Sequence, residues 1–202
     1  ILTTLDADDH RNAVESGDAG ILRAAGRPVI GIDLKILDDD GNEVPTEEAG
    51  EVCVRGPNVT PGYLNRPEEN EKAFKNGWFH TGDVGRVDKN GVMFLMDRKK
   101  DMIVSGGENI YTSEVEAALY KHPDVFECAV IGLPDDKFGE SLFAVIVTAP
   151  DQTLSEEIII NHCRDLIAGY KIPRQMDFVE ELPKSAMSKI LKNELRDIYS
   201  KK

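Results

Sequence analysis

Between residues 28 and 96 the apolar positions come in short runs separated by glycine, proline and acidic turns, a spacing that predicts strands. IDLKIL (32–37) alternates, imperfectly, before DDDGNEVP turns the chain, and GEVCVRG (50–56) follows with Val52 and Val54 on one face. GDVGRV (82–87) and VMFLM (92–96) flank DKNG, whose Asn90-Gly91 pair is a hairpin signal. Short strands joined by glycine turns predict a small barrel-like or sandwich β subdomain. The stretch ILTTLDADDHRNAVESGDAG has no initiating Met and no obvious first element, so the chain is expected to be a piece of a longer one.

After Asp97 the pattern changes to mixed helix and strand. Ser113 and Glu116 have the spacing of a capping box, opening a helix that runs to about Lys121 and stops before Pro123. ECAVIGLP (127–134) and SLFAVIVTA (141–149) read as strands. Thr153 and Glu156 form a second box, and the helix behind it brings Ile159, Cys163, Leu166 and Tyr170 near one face. QMDFVEELP (175–183) begins as a strand, and Ser188 is placed to cap a last helix, KILKNELRDIY. The predicted fold class is α+β: a small β-barrel-like subdomain over residues 1–97, then a compact α+β domain over 98–202. No internal repeat or low-complexity tract interrupts either part.

Composition narrows the function. The 202 residues are 41% hydrophobic and 30% charged, as in a folded globular protein, and the net charge of -13 argues against a general nucleic-acid grip. The longest apolar run, LFAVIV (142–147), is far shorter than the roughly 20 residues of a spanning helix. With no export signal, a cytoplasmic location is expected. Cys53, Cys128 and Cys163 are odd in number and widely spaced, which fits reduced, buried thiols better than disulfides or a cysteine metal site. DDDGNEVPTEEA (38–49) fails as a calcium loop, because Ala49 stands where the last carboxylate is needed. NVT (58–60) matches a glycosylation acceptor by chance.

Single motifs leave alternatives open. Gly106-Gly107 serves equally as a hairpin turn, Asp83 in HTGD could merely finish a turn, and Lys189 reads alone as a surface lysine or as a cation reaching an anion. Taken in order, however, GEVCVRGPNVTPGYLNRPE, GWFHTGD, DRKKDMIVSGGENIYTSEVE and LPKSAMSKILKNELR resemble the C-terminal portion of the adenylate-forming enzymes, most like the fatty acid and aryl acid–CoA ligases. The resemblance runs from about Gly26 to the end.

That resemblance implies a two-step reaction: a carboxylate attacks the α-phosphorus of Mg2+-bound ATP to give an acyl-adenylate, and the thiol of CoA then displaces AMP. It implies that Lys189 is the adenylation lysine, that Asp83 and Arg98 contact the ribose of ATP, and that Lys100 is the hinge of a mobile C-terminal domain. It assigns Ser105, Gly106 and Gly107 to the wall of a pantetheine tunnel, where a missing Cβ lets a thin ligand pass close to the backbone. No residue is assigned to a metal. Two departures stand out. MSK (187–189) puts Ser188 where the family usually has glycine, so a positive φ there would be strained. The phosphate loop and acid pocket, upstream in the family, are missing, so the 202 residues alone are expected to be inactive. Within the fold, the alternative is an adenylating domain that loads a carrier-protein thiol; outside catalysis, it is a stand-alone binding module.

Overall fold

The computed structural model describes residues 1–201. It divides into a unit of Ile1–Lys100 and a second that begins at Asp101.

In the first unit, β1 (Thr3–Thr4) pairs antiparallel with β2 (Arg27–Pro28). Between them lies α1 (Ala7–Ser16), a helix in the stretch where the sequence shows no obvious first element. Its start is a reciprocal cap: the Asp6 carboxylate accepts from the Asp9 N–H and the Asp9 carboxylate accepts from the Asp6 N–H. Gly17 closes it in the left-handed region at φ 72°. The remainder is an antiparallel sheet of five strands. Its path runs β3 (Asp33–Leu37), β4 (Gly50–Arg55), β6 (Trp78–Val87) and β5 (Phe74–Lys75), with β7 (Met93–Arg98) also paired to β6. The sheet stays open rather than closing into a barrel. A short helix, α2 (Pro67–Ala73), starts with Pro at its first turn. The expected all-β segment therefore contains two helices. Both are hard to detect by periodicity, since α1 buries only Ala13 and α2 buries nothing. Val52 and Val54 do share a face, and they pack with Ile36 and Met93 in the core of this unit.

The second unit opens with a hairpin, β8 (Ile103–Ser105) and β9 (Glu108–Ile110), followed by α3 (Thr112–Leu119), β10 (Val125–Asp135), β11 (Gly139–Thr148), α4 (Glu156–Arg164), β12 (Gln175–Val179) and α5 (Lys192–Tyr199). β10 and β11 pair antiparallel in the register Cys128↔Ile146, Ala129↔Val145 and Val130↔Ala144; β12 lies parallel on β11, and β8 meets β11 through Ser105↔Gly139. Because strand side chains alternate, this register feeds two cores. Cys128, Val130, Ala144 and Ile146 join Val115, Leu119 and Ile159 in one cluster, on the side of α3 and α4. Ala129, Ile131, Val145 and Val147 face the other way and pack with Leu182, Ile190 and Leu195, on the side of α5. Each fully buried Val or Ile contributes about 1.5–3 kcal/mol relative to exposure, so these two layers hold the unit together.

Three predicted caps are corrected. The N-cap of α3 is Tyr111, which puts Ser113 inside the first turn. Glu116 is thereby carried past the reach of a capping box; its carboxylate accepts from the Val130 N–H at 2.8 Å and pairs with Lys192 at 2.7 Å. Ser155, not Thr153, caps α4 by accepting from the Ile158 N–H. That helix ends at Arg164, so Ile159 and Cys163 are buried whereas Leu166 and Tyr170 lie beyond it, partly exposed. The last helix begins only at Lys192, leaving Ser188 and Lys189 in the turn before it.

Candidate functional site

The first group of predicted residues lies where β4, β6 and β7 meet. The β4–β6 ladder shifts register between Glu51 and Cys53, which are partnered by Val84 and His80, so residues 81–83 bulge from the sheet. Gly82 takes φ 73° in that bulge, and the Thr81 hydroxyl steadies it by donating to the Val52 carbonyl and accepting from the Asp83 N–H. Across the β6–β7 ladder, Asp83 faces Arg98, and their side chains meet with Nε 3.3 Å from Oδ1. Two residues chosen from separate motifs are thus neighbours. Arg98 is 63% exposed, and a pair this open contributes little to folding, at most about 1 kcal/mol.

Behind the pair is a half-buried knot that the motifs did not single out. The Glu51 carboxylate accepts from the Gly82 N–H at 3.2 Å, lies 3.1 Å from His80 Nδ1, and accepts from the Lys99 ammonium at 3.0 Å. The Lys99 N–H donates to the Gly82 carbonyl, so both sides of the Gly82 peptide are gripped. Burial works to raise the Glu51 carboxyl, but its bonds with His80 and Lys99 outweigh it and hold the group below its ordinary value. His80 Nδ1 is also 3.3 Å from Cys53 Sγ, and burial, helped by the Glu51 charge, pushes that thiol up to about 12. Both Glu51 and His80 stand inside quoted motifs, GEVCVRG and GWFHTGD, but nothing in the linear spacing joins them. Lys100 follows in an exposed turn at the end of the first unit.

The second group lies in the other unit. Gly106 and Gly107 form the tip of the β8–β9 hairpin with φ 61° and 87°, the turn geometry in which both central residues need positive φ. The glycine pair is therefore a structural turn as well as a candidate wall. A Cβ on Gly106 would stand 3.4 Å from the Phe138 ring, and the Gly106 N–H donates to the Phe138 carbonyl; around Gly107 the space is open. Ser105 and Gly106 line a cavity of about 300 Å3 with Phe138, Leu142, Tyr170 and Arg174. By area it is a mostly apolar slot, and its charged lining is the Arg174 guanidinium with the Glu108 and Asp135 carboxylates; nothing in the linear motifs points to Phe138, Tyr170 or Arg174.

Lys189 sits in a turn closed by the Lys184↔Ile190 bridge. The Ser185 hydroxyl accepts from the Met187 and Lys189 N–H groups, while the Ser185 N–H donates to the Lys189 carbonyl. Ser188 occupies the left-handed region at φ 59°, the strained conformation that the departure from glycine foreshadowed. The Lys189 side chain is exposed and has no ion-pair partner among the described residues. The neighbouring Ile190 packs into the cluster on the α5 side of the sheet, whereas Ile103 and Ile110, which flank the glycine hairpin, pack into the cluster on the other side.

Residues 10–64 match the family model of AMP-binding enzymes, and residues 114–189 match that of the AMP-binding enzyme C-terminal domain. The chain is 45% identical over 172 residues to a long-chain-fatty-acid–CoA ligase of Escherichia coli O6:H1, covering 85% of this chain and 30% of the relative. It is 44% identical to a 2-succinylbenzoate–CoA ligase of Bacillus mycoides, covering 87% and 36%. Among solved structures it resembles an o-succinylbenzoate CoA synthetase from Bacillus subtilis in complex with the acyl-adenylate intermediate, with TM-score 0.85, 38% identity, and coverage of 97% of this chain and 38% of that one. An ATP-bound MatB from Rhodopseudomonas palustris matches with TM-score 0.82 and 36% identity over 88% of this chain and 36% of that one. The chain thus spans about a third of the length of the curated relatives it matches. With matching segments on both sides of residue 100, and with relatives and structures in agreement, the chain belongs to the adenylate-forming, AMP-binding enzymes.

Proposed function

We propose that this chain provides the ribose-holding strands and the mobile C-terminal domain of an ATP-dependent acid–CoA ligase. The observation that carries the reading is the meeting of Asp83 and Arg98 beside the braced Gly82 peptide. A carboxylate can accept from both ribose hydroxyls, and the exposed guanidinium beside it is free to turn to the same sugar. Mg2+ would neutralise charge on the triphosphate, and no side chain of this chain is assigned to hold it.

Lys189 then serves the first step. The acid's carboxylate oxygen attacks the α-phosphorus of ATP, the bond to the β-phosphate oxygen breaks, and pyrophosphate leaves. Two anions must approach, and an exposed ammonium without an internal partner supplies the charge that permits it. In the second step the CoA thiol loses its proton and attacks the acyl carbon, the carbon–oxygen bond to AMP breaks, and a thioester forms. The Ser105–Gly107 hairpin serves this step, with the adjoining slot receiving part of CoA. The anchoring of the Lys189 turn and the glycine hairpin in opposite clusters of one sheet supports an exchange of faces, with Lys100 as pivot.

The 202 residues alone, mixed with ATP, CoA and a fatty acid, are expected to give no thioester, and product from the pure chain would overturn that. The roles are tested by grafting the chain in place of the matching part of a related ligase. Lys189→Ala should cripple acyl-adenylate formation and spare thioester formation from supplied acyl-adenylate; equal loss in both would refute the assignment. Offering a carrier-protein thiol beside CoA separates the two acceptor classes.

A further inference from the structure

We propose that Glu51, Cys53 and His80 form a zinc site in the first unit. β4 carries Glu51 and Cys53 two positions apart, hence on the same side of the strand, and the ladder sets His80 of β6 opposite Cys53. One ligand atom from each, a carboxylate oxygen, a thiol sulfur and an imidazole nitrogen, gathers within 4.8 Å of the others. The nitrogen lies 3.3 Å from the sulfur and 3.1 Å from the oxygen. A tetrahedral zinc with ordinary bond lengths spans edges of about 3.3–3.6 Å between such atoms, so the two edges at the nitrogen are within a few tenths of an ångström of that geometry, and the sulfur–oxygen edge, at no more than 4.8 Å, closes by a turn of the side chains. Thiolate, imidazole and carboxylate together suit zinc better than Mg2+ or Ca2+, which prefer oxygen-only sites.

The surroundings fit an entry path and a fourth ligand. Glu51 and His80 open onto a cavity of about 240 Å3 lined by Asp38, Asp39, Asp40 and Glu43 and by Lys35, Lys75 and Lys99; Lys35 pairs with Glu43, and with Glu51 counted the carboxylates outnumber the ammonium groups. The acidic turn of Asp38, Asp39 and Asp40 gives a divalent cation a way in, and the cavity has room for a water on the remaining position. Lys99 is the cation now in place, 3.0 Å from Glu51 and 2.7 Å from Asp39. Asp39 is 88% exposed, so the flexible lysine can withdraw to it and free the Glu51 oxygen. The Cys53 thiol must lose its proton as the metal–sulfur bond forms, so binding releases acid. The widely spaced cysteines conceal the site because its other ligands are not cysteines.

The test uses the reduced, chelator-stripped 202-residue chain. Zn2+ titration by calorimetry should give one equivalent per chain, and Co2+ should give tetrahedral visible bands with a thiolate charge-transfer band, both bleached by Zn2+. Cys53→Ala and Glu51→Gln should each weaken Zn2+ binding about a hundredfold or more, a loss at least as large as those seen on removing partners of metal ligands. Lys99→Met should tighten it by up to about tenfold, the scale of a half-exposed ion pair removed from competition. Absence of a saturable equivalent overturns the proposal. So does Co2+ bound without a thiolate band, which would place the ion on the acidic turn, or Zn2+ affinity unchanged in Cys53→Ala. Should Cys53→Ala fail to fold, the cobalt spectrum of the unmodified chain and Glu51→Gln decide the question.

Discussion

Ser188→Gly should stabilise the second unit, against the usual direction of glycine substitutions. Ser188 holds φ 59°, where an L side chain crowds its own backbone at a cost of roughly 1–2 kcal/mol. Other positive-φ residues such as Asn65, Asn76 and Asp151 have short polar side chains that tolerate this region; serine has no such aptitude. Glycine removes the crowding but gives about 0.4–1 kcal/mol back through the greater freedom of the unfolded chain. The bonds of Ser185 to Met187 and Lys189 are made by atoms the substitution leaves in place. Taking mid-range values, the net gain is about 0.8 kcal/mol, or a Tm rise of about 4 °C for a unit of this size. Thermal and urea melts followed by circular dichroism measure it, with Ser188→Ala as comparison. Alanine keeps the Cβ and therefore the strain, so it should give no gain. A glycine variant no more stable than the alanine variant would refute the argument.

Ile146→Ala, at a side chain with no exposed surface, should destabilise by about 2–5 kcal/mol in urea unfolding, while Val104→Ala at a 44% exposed site should stay within about 0.5 kcal/mol. Lys192→Met should cost about 1–3 kcal/mol by the same assay, because the ammonium bridges the buried Thr112 hydroxyl and the Glu116 carboxylate. Glu51 makes acid stability measurable. Its folded carboxyl lies below the ordinary value of 4.5, so between the two values the unfolded chain binds more protons; its contribution is complete above 4.5 and is lost as pH falls through the folded value. Glu51→Gln should flatten stability against pH in that window. All three cysteines are buried, and burial raises each thiol, so maleimide at neutral pH should label none in the metal-free folded chain and all three in guanidinium.

The parts of the fold legible in sequence were those fixed by local pattern. β10 and β11 stand out as apolar runs, and the alternation within them already separates the residues of the two clusters. Asn90-Gly91 turns the chain as expected, with the Asp88 carboxylate accepting from the Asn90 and Val92 N–H groups. Helix starts were less legible, since a capping box needs only a hydroxyl and a carboxylate at the right spacing, and tertiary partners moved Glu116 to Val130 and Lys192. α1 escaped because it buries one residue, although Asp6, Asp9 and Gly17 marked its ends. Asp83 and Arg98 were found through the resemblance; their juxtaposition, and the knot of Glu51, His80, Cys53 and Lys99 behind them, depend on a sheet register that no single segment encodes.

The sheet of the second unit acts as a partition as well as a support. Leu182 and Leu195 are packed on one side of it, Ile103 and Ile110 on the other. Substitutions on opposite sides share no partners, so their energetic effects should sum, whereas pairs on one side should show coupling. Evolution or an engineer could therefore retune the ground beneath the Lys189 turn without disturbing the ground beneath the paired glycines.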